Sequence, residues 1–326
     1  MHLEVDASGR AGFSSIQTAV DAIPVGTNEP VYISIKKGVY REKIVIDKPQ
    51  VHLIGEDPHT TIVRWDDYAK KTFPDGRPYQ TFNSYTIFFG GDYCSARHIT
   101  FENTAGPGDQ VGQAIAAYVD GDGCYFEDCQ FIGWQDTLFT GPLPLAPLIP
   151  GSFTGPREHG PRRDTSQYYR QCTIMGDIDF IFGSALAVFD SCRIISRCRK
   201  ETVGYITAPS TPQGRRAGYI FLRCSLEGTE NFPSTYLGRP WRNHARCVFL
   251  ECSMGAHIMP EGWHNWDKEE AERTVVFGEY KSEGPGAQGS QRVPWSLQLN
   301  SSEAFSYYTI ASTVRTKCTK YIPQQR

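Results

Sequence analysis

Residues 168–172 read Tyr-Tyr-Arg-Gln-Cys, and this frame, an aromatic residue followed three positions later by a cysteine, recurs along the chain. The frame occurs five times, and its final cysteines are Cys129, Cys172, Cys192, Cys224 and Cys252. Around it, short strand-like runs punctuated by Gly, Asp and Asn continue from Val31 to about Met254, which indicates an all-β barrel, sandwich or solenoid. The recurring frame favours the solenoid, because stacked coils bring equivalent residues into register, and unequal loops would explain its irregular spacing.

The strand-like runs have apolar residues flanked by turn residues and no strong helical periodicity. The predicted strands are Val31–Ile35, Lys43–Ile46, Val51–Ile54, Thr61–Trp65, Thr86–Phe89, His98–Glu102, Ile115–Val119 and Cys124–Phe131. Helices are predicted only near the ends, at residues 13–24, closed by Pro24, and at residues 299–312. We therefore expect one β-solenoid domain over residues 1–326, capped by the first helix.

The ten cysteines do not have the paired spacing of a zinc site. A buried free cysteine behaves as a small hydrophobic residue, so we interpret these thiols as stacked equivalents in successive coils. A disulfide framework is the alternative, although it is more typical of short secreted chains.

The bulk composition excludes several classes of protein. The formal net charge is −3 and the pI about 6.3, so no global basic field is present for binding nucleic acid. The sequence contains no run of 18 apolar residues, so no membrane-spanning helix is expected. The N-terminus lacks the basic and apolar regions of a signal peptide, so we expect either a cytoplasmic protein or a leader that was removed.

Three stretches carry the residues of a candidate active site. Residues 171–184 hold Asp177 and Asp179 among apolar neighbours, and as a strand they would point both carboxylates to one face. Residues 133–139 hold Asp136 between aromatic residues, and residues 236–241 offer Arg239. Such carboxylates can also be ordinary edge-strand residues, but together with amides and one Arg they suggest acyl transfer or glycosyl transfer.

Five motifs occur in an order that resembles the pectin methylesterase (pectinesterase) family. They are Gly38-Val-Tyr-Arg-Glu42, Gln113-Ala-Ile-Ala116, Gly133-Trp-Gln-Asp-Thr-Leu138, Asp179-Phe-Ile-Phe-Gly183 and Leu237-Gly-Arg-Pro-Trp241. The resemblance extends over nearly the whole chain. It implies a right-handed parallel β-helix and the hydrolysis of C6 methyl esters in methylated homogalacturonan or oligogalacturonides.

The resemblance also implies roles for individual residues. Asp179 is expected to be the nucleophile, with Asp136 as general acid and base. Gln113 and Gln135 would stabilise the oxyanion, and Arg239 would orient Asp179. The residues expected to contact the sugar are Thr81, Phe139, Phe182 and Trp241. No metal and no cofactor are expected, and the partner is the polysaccharide substrate bound by a monomer, with no membrane.

Two departures from the family pattern affect the expected cleft. Phe139 stands where many family members have Tyr, so one hydroxyl contact is missing. Residues 141–166 form a Gly-, Pro- and Arg-rich insertion between the two Asp-bearing stretches. The insertion is either a surface loop or a flap whose Arg157, Arg162 and Arg163 would meet an anionic substrate.

Two other functions fit the same fold. A polygalacturonase or pectate lyase would need acids flanking a glycosidic bond or a carboxylate cluster for calcium. A non-catalytic carbohydrate-binding β-helix would leave Gln113, Gln135 and Arg239 without a role. The reduced thiols and the N-terminus favour a bacterial cytoplasm, and in that compartment imported short oligogalacturonides would be the better substrates.

Overall fold

The structure, a computed structural model, describes residues 1–27 and 29–322. Within these ranges the strands form three sheets, and the paired strands of each sheet run parallel. Sheet 1 has eleven strands: His2–Val5, Val31–Ile35, Val51–Gly55, Ser95–Arg97, Cys124–Glu127, Ser166–Arg170, Leu186–Asp190, Tyr219–Leu222, Arg246–Leu250, Val276–Tyr280 and Leu297–Gln298.

The other two sheets are built by the same turns of the chain. Sheet 2 has seven strands: Ile44–Ile46, Ile87–Phe89, Ala117–Val119, Leu138–Thr140, Ile181–Gly183, Gly204–Pro209 and Thr235–Gly238. Sheet 3 has eight strands: Gly38–Arg41, Thr61–Trp65, Thr100–Asn103, Gln130–Ile132, Thr173–Gly176, Arg193–Ser196, Ser225–Gly228 and Ser253–Met254. From Val31 to Gly238 each coil contributes strands to sheets 1, 3 and 2 in turn. The chain is thus a parallel β-helix, which confirms the solenoid prediction.

The aromatic residues of the recurring frame form a ladder inside the β-helix. Phe126, Tyr169, Phe189, Phe221 and Phe249 are each 0% exposed. Consecutive rings stack with centroids 5.0, 4.8, 4.5 and 4.4 Å apart and planes within 12° of each other. Full burial of each side chain contributes about 1.5–3 kcal/mol, and stacked pairs add about 0.5–1.5 kcal/mol. The frame therefore marks one repeated core position per coil.

The cysteine of each frame follows a corner between sheets 1 and 3. The residue before it has a left-handed φ in every frame: Asp128 48°, Gln171 52°, Ser191 56°, Arg223 50° and Glu251 54°. This corner divides the predicted strand Cys124–Phe131 into Cys124–Glu127 and Gln130–Ile132. Among the described residues all ten cysteines are free, and all except Cys198 are buried, as the free-thiol interpretation predicts.

The N-terminal helix is Ile16–Asp21, shorter than the predicted span 13–24. Ser15 is its N-cap, and the Glu42 carboxylate accepts hydrogen bonds from the backbone N–H groups of Ile16 and Gln17 at 2.8 and 2.9 Å. A carboxylate at this end is favourable because it meets the unpaired N–H groups and the positive end of the helix dipole. Glu42 of the first motif is therefore a structural cap.

The C-terminal helix is Ser301–Cys318, longer than the predicted 299–312. Asn300 and Glu303 form a capping box, and the buried stripe Ala304, Ala311, Val314 and Cys318 continues past residue 312 without a helix breaker. The shorter helical segments are Gly108–Val111, Thr81–Asn83, Ala271–Arg273 and Gly289–Gln291. None of the helices in the described ranges has the length and apolar character needed to cross a membrane.

Candidate active site

Asp136 and Asp179 occupy equivalent corners of successive coils, each just before a strand of sheet 2. Their φ angles are 63° and 49°, a left-handed conformation that non-glycine residues rarely adopt. The backbone N–H of Asp136 donates to the carbonyl of Ile178 at 3.0 Å, which places the two corners side by side. The prediction that Asp177 and Asp179 lie on one strand is wrong, because both lie in the turn between Thr173–Gly176 and Ile181–Gly183.

A two-pronged ion pair joins Asp179 to Arg239. The Arg239 Nε and Nη2 atoms donate to Asp179 Oδ1 and Oδ2 at 2.8 and 2.7 Å. The guanidinium carbon lies 3.8 Å from the ring centroids of both Tyr205 and Trp266, so the cation is held between two aromatic faces. Two parallel hydrogen bonds and two rings fix the orientation of Arg239, and through it that of the Asp179 carboxylate.

The two buried carboxyls differ in their partners. Burial raises the pKa of Asp136 well above its ordinary value, and the neighbouring Asp179 charge raises it further. Burial also raises the pKa of Asp179, but the hydrogen bonds and charge of Arg239 oppose that rise. Among the described residues the Asp136 carboxyl has no hydrogen-bond or ion-pair partner. The partners of the two carboxyls therefore favour ionisation of Asp179 over ionisation of Asp136.

Two side-chain amides line the same cleft as these carboxyls. Gln113 and Gln135 both border it, together with Asp136, Asp179 and Arg239. Neither amide has a hydrogen-bond partner among the described side chains and backbone groups, so both are free to donate to a substrate. A side chain at Gly108 would meet the Gln135 amide, since a Cβ there would lie 2.2 Å from Oε1. Because Gly108 has no side chain, the Gln135 amide fits beside it.

Three of the four predicted sugar-contacting residues line the cleft: Thr81, Phe182 and Trp241. The prediction for Phe139 is wrong, since its side chain is 0% exposed and does not border the cleft. Its ring packs 5.0 Å from Phe82 and 4.9 Å from Phe182. Leu138 faces the interior core of the β-helix, so Phe139 faces the opposite side of the strand and packs in the aromatic cluster beneath the cleft. Phe139 therefore supports the cleft floor.

Asp177 lies outside the cleft. Its side chain is 1% exposed, one oxygen accepts from the Ile178 N–H at 2.8 Å, and the other is 3.7 Å from Arg199. Burial raises its pKa, and the charge of Arg199 opposes that rise. This geometry makes Asp177 a structural residue.

The arginines of the insertion do not face the cleft, so the prediction that they meet an anionic substrate is wrong. Arg157 Nε donates to Asp120 at 2.9 Å, and Arg163 Nη1 donates to Asp92 at 2.7 Å. The guanidinium of Arg162 donates to backbone carbonyls of the insertion itself. These contacts anchor the loop. They also engage the guanidinium groups that would otherwise be available to a substrate carboxylate.

Sequence reasoning missed part of the cleft wall. Phe82, Ala208, Arg242 and Trp266 line it, and so do four residues of the insertion, Leu148, Ile149, Ser152 and Phe153. Tyr205 and Trp266, which enclose Arg239, lie in loops and strands remote from it in sequence. Of these unpredicted cleft residues, Phe82 is the one that the sequence could have indicated, because it is adjacent to the predicted Thr81.

Comparison with known proteins is consistent with this geometry. A model of the family described as Pectinesterase matches residues 2–142 and 162–317. Pectinesterase 31 of Arabidopsis thaliana is 35% identical over 313 residues, which cover 93% of this chain and 89% of the relative. Probable pectinesterase 8 of the same plant is 34% identical over 314 residues, covering 93% and 72%.

Two solved structures have the same architecture. A pectin methylesterase from carrot matches with a TM-score of 0.81 at 30% identity, covering 99% of this chain and 97% of that one. A pectin methylesterase in complex with hexasaccharide VII matches with a TM-score of 0.78 at 26% identity, covering 99% and 98%.

These relatives overturn the prediction of a bacterial cytoplasm. The similar Arabidopsis proteins are pectinesterases of the plant cell wall, which are secreted. The thiols gave no valid sign of a compartment, because all except Cys198 are buried and so are shielded from oxidants in any compartment. The preference for imported oligomers loses its basis together with that location.

Proposed function

The chain belongs to the pectinesterase family, and from that premise we propose how its cleft performs the reaction. It is a carboxylic ester hydrolase that removes methyl groups from the C6 esters of pectin. The observation that carries the proposed mechanism is the asymmetry of its two buried carboxyls. Asp179 is paired with Arg239 at 2.8 and 2.7 Å, whereas Asp136 has no cation partner.

In the first step, an oxygen of ionised Asp179 attacks the C6 carbonyl carbon of a methyl galacturonate. The carbonyl electrons move to oxygen, and the amides of Gln113 and Gln135 donate hydrogen bonds to the resulting oxyanion. Asp136 gives its proton to the methoxy oxygen as the C6–O bond breaks, and methanol leaves. The products are an anhydride between Asp179 and C6 and an ionised Asp136.

In the second step, Asp136 takes a proton from a water molecule that attacks C6. The anhydride breaks, the uronate carboxyl leaves, and Asp179 recovers its negative charge beside Arg239. Asp136 is protonated again, so the cycle consumes one water and one ester. The ring sandwich around Arg239 supports this scheme, because the cation must hold Asp179 in one orientation through both steps.

Aromatic residues in the cleft suit a sugar chain. Phe182 and Trp241 border it with ring centroids 5.8 Å apart, and Thr81 offers a hydroxyl. Because one chain supplies every residue of the cleft, we propose that a single domain acts as a monomer on methylesterified galacturonan.

The test separates ester hydrolysis from cleavage of the polysaccharide. The protein is incubated with methylated pectin, and methanol, new reducing ends and unsaturated ends are measured together. We expect methanol to accumulate while both kinds of chain end stay at the level of the blank. Chain ends without methanol would contradict the proposal and favour a glycosidase or lyase, which would need other carboxylate arrangements.

A further inference from the structure

The insertion gives the cleft a wall that the family pattern lacks. The family model leaves residues 143–161 unmatched, between its two matched segments. Leu148, Ile149, Ser152 and Phe153 of this unmatched segment line the cleft beside Asp136 and Asp179. The segment is therefore the part of the cleft that lies outside the family pattern.

Contacts at both ends of the insertion hold this wall in place. The Asn83 amide donates to the carbonyl of Thr154 at 2.9 Å, and Arg242 Nη2 donates to the carbonyl of Ala146 at 2.9 Å. The sequence between residues 142 and 150 contains four prolines, which restrict the backbone before any substrate binds. A fixed wall loses little conformational entropy on binding, so its contacts contribute to selectivity.

The residues with which the insertion lines the cleft are uncharged, and three of the four are apolar. Arg242, the charged residue beside them, has Nη1 and Nη2 engaged by the backbone carbonyls of Trp241 and Ala146 at 3.0 and 2.9 Å. Phe153 is 4% exposed and packs edge-on against Phe82 and Trp241, with centroids 5.7 and 6.2 Å away. Leu148 and Ile149 are each 71% exposed, so their side chains are available to a ligand. The arginines of the insertion are engaged elsewhere, as described above.

A galacturonate chain can place either a methyl ester or a carboxylate against such a wall. A methyl ester buries its methyl group there, and each buried methyl or methylene contributes about a fourfold gain in affinity. An ionised carboxylate placed against Leu148 and Ile149 loses water and gains no hydrogen bond from these two side chains, which is unfavourable. The wall therefore distinguishes the two forms of the unit beside the reacting one.

We propose that Leu148 and Ile149 form a subsite for a methyl-esterified galacturonate unit next to the unit that reacts. The enzyme then selects densely esterified stretches of pectin and acts poorly on an isolated ester among free carboxylates. This inference rests on the proposed function, because it assumes that the ester bond is cleaved between Asp136 and Asp179.

The test uses two hexagalacturonides, one esterified on all six units and one on a single internal unit. The measured quantity is kcat/KM per methyl ester, and its ratio between the two substrates defines the selectivity. The variants are the double changes Leu148→Ser with Ile149→Ser and Leu148→Lys with Ile149→Lys. Leu145→Ser is the matched control, since Leu145 lies in the same insertion, is 84% exposed and does not line the cleft.

We expect the unaltered protein to favour the fully esterified hexamer by about tenfold or more. The serine pair should lower this ratio by at least about fourfold, and the lysine pair should lower it further because ammonium groups attract carboxylates. Leu145→Ser should leave the ratio unchanged. A ratio near one in the unaltered protein, or equal ratios in all variants, would overturn the subsite.

Failure of the proposed function would give a different result. In that case the unaltered protein would release no methanol from the fully esterified hexamer. A changed selectivity in Leu145→Ser as large as in the serine pair would also overturn the subsite, since it would show a general effect of the loop.

Discussion

Replacing Asp136 with Asn should stabilise the folded protein increasingly as the pH rises. The side chain is 8% exposed, and burial together with the Asp179 charge raises its pKa well above the ordinary value. In the unfolded chain an aspartate loses its proton at about pH 3.9. Above that pH the folded state binds one more proton than the unfolded state, so the stability of the unaltered protein falls as the pH rises.

The change of the free energy of unfolding with pH follows from the one extra proton that the folded state binds. Until the folded-state carboxyl itself ionises, the free energy of unfolding of the unaltered protein should fall by about 1.4 kcal/mol per pH unit relative to Asp136→Asn. Urea unfolding at several pH values from about 5 upward measures this difference. Asp75→Asn is the control, since hydrogen bonds from Arg77 lower the pKa of Asp75 and its effect should stay constant over this range. A constant gap for Asp136→Asn would refute the assignment of Asp136 as the carboxyl that keeps its proton.

Three further outcomes are expected. Tyr205→Leu removes one ring from Arg239 and about 0.5–2 kcal/mol of cation–π attraction, so kcat should fall about 2- to 30-fold and the acid limb of the pH profile should move to higher pH. Tyr205→Phe should restore both properties, and an unchanged kcat and pH profile in Tyr205→Leu would contradict the role of the two rings. Gln113→Ala and Gln135→Ala should each lower kcat about 100- to 1,000-fold, whereas a change in KM alone would make the amides substrate-binding groups. A thiol reagent should modify at most Cys198 quickly in native protein and most of the ten cysteines in urea without reductant; thiols blocked until reduction would contradict the free-thiol core.

The fold could be predicted from the recurring frame because each frame adds one aromatic side chain to the same ladder. The corners could not be predicted in this way. A left-handed residue is normally signalled by Gly or Asn, whereas here the corners use Gln171, Arg223 and Glu251 among others. The hydrogen bonds between successive coils impose this conformation, and they join residues that are distant in sequence.

The same limit explains the errors at the site. Asp179 was expected on a strand because its neighbours alternate in polarity, but it lies in a corner that only the stacking of coils defines. The nearness of Asp136 and Asp179 followed from the family resemblance and was not available from their spacing. The apolar wall of the insertion depends on contacts such as Asn83 with Thr154, 71 residues apart, which no local pattern reports.

The central claim is that Asp179, and not its neighbour Asp177, attacks the ester. Methanol release from a fully esterified hexagalacturonide should be measured for Asp179→Asn and Asp177→Asn under saturating substrate, with folding checked by circular dichroism. Loss of the nucleophile should lower kcat in Asp179→Asn by about four orders of magnitude or more, on the scale found when catalytic nucleophiles are removed, whereas Asp177→Asn should retain most of its activity per folded molecule. A folded Asp179→Asn variant that keeps more than about a tenth of the activity, a barrier change below about 1.4 kcal/mol, would contradict the claim.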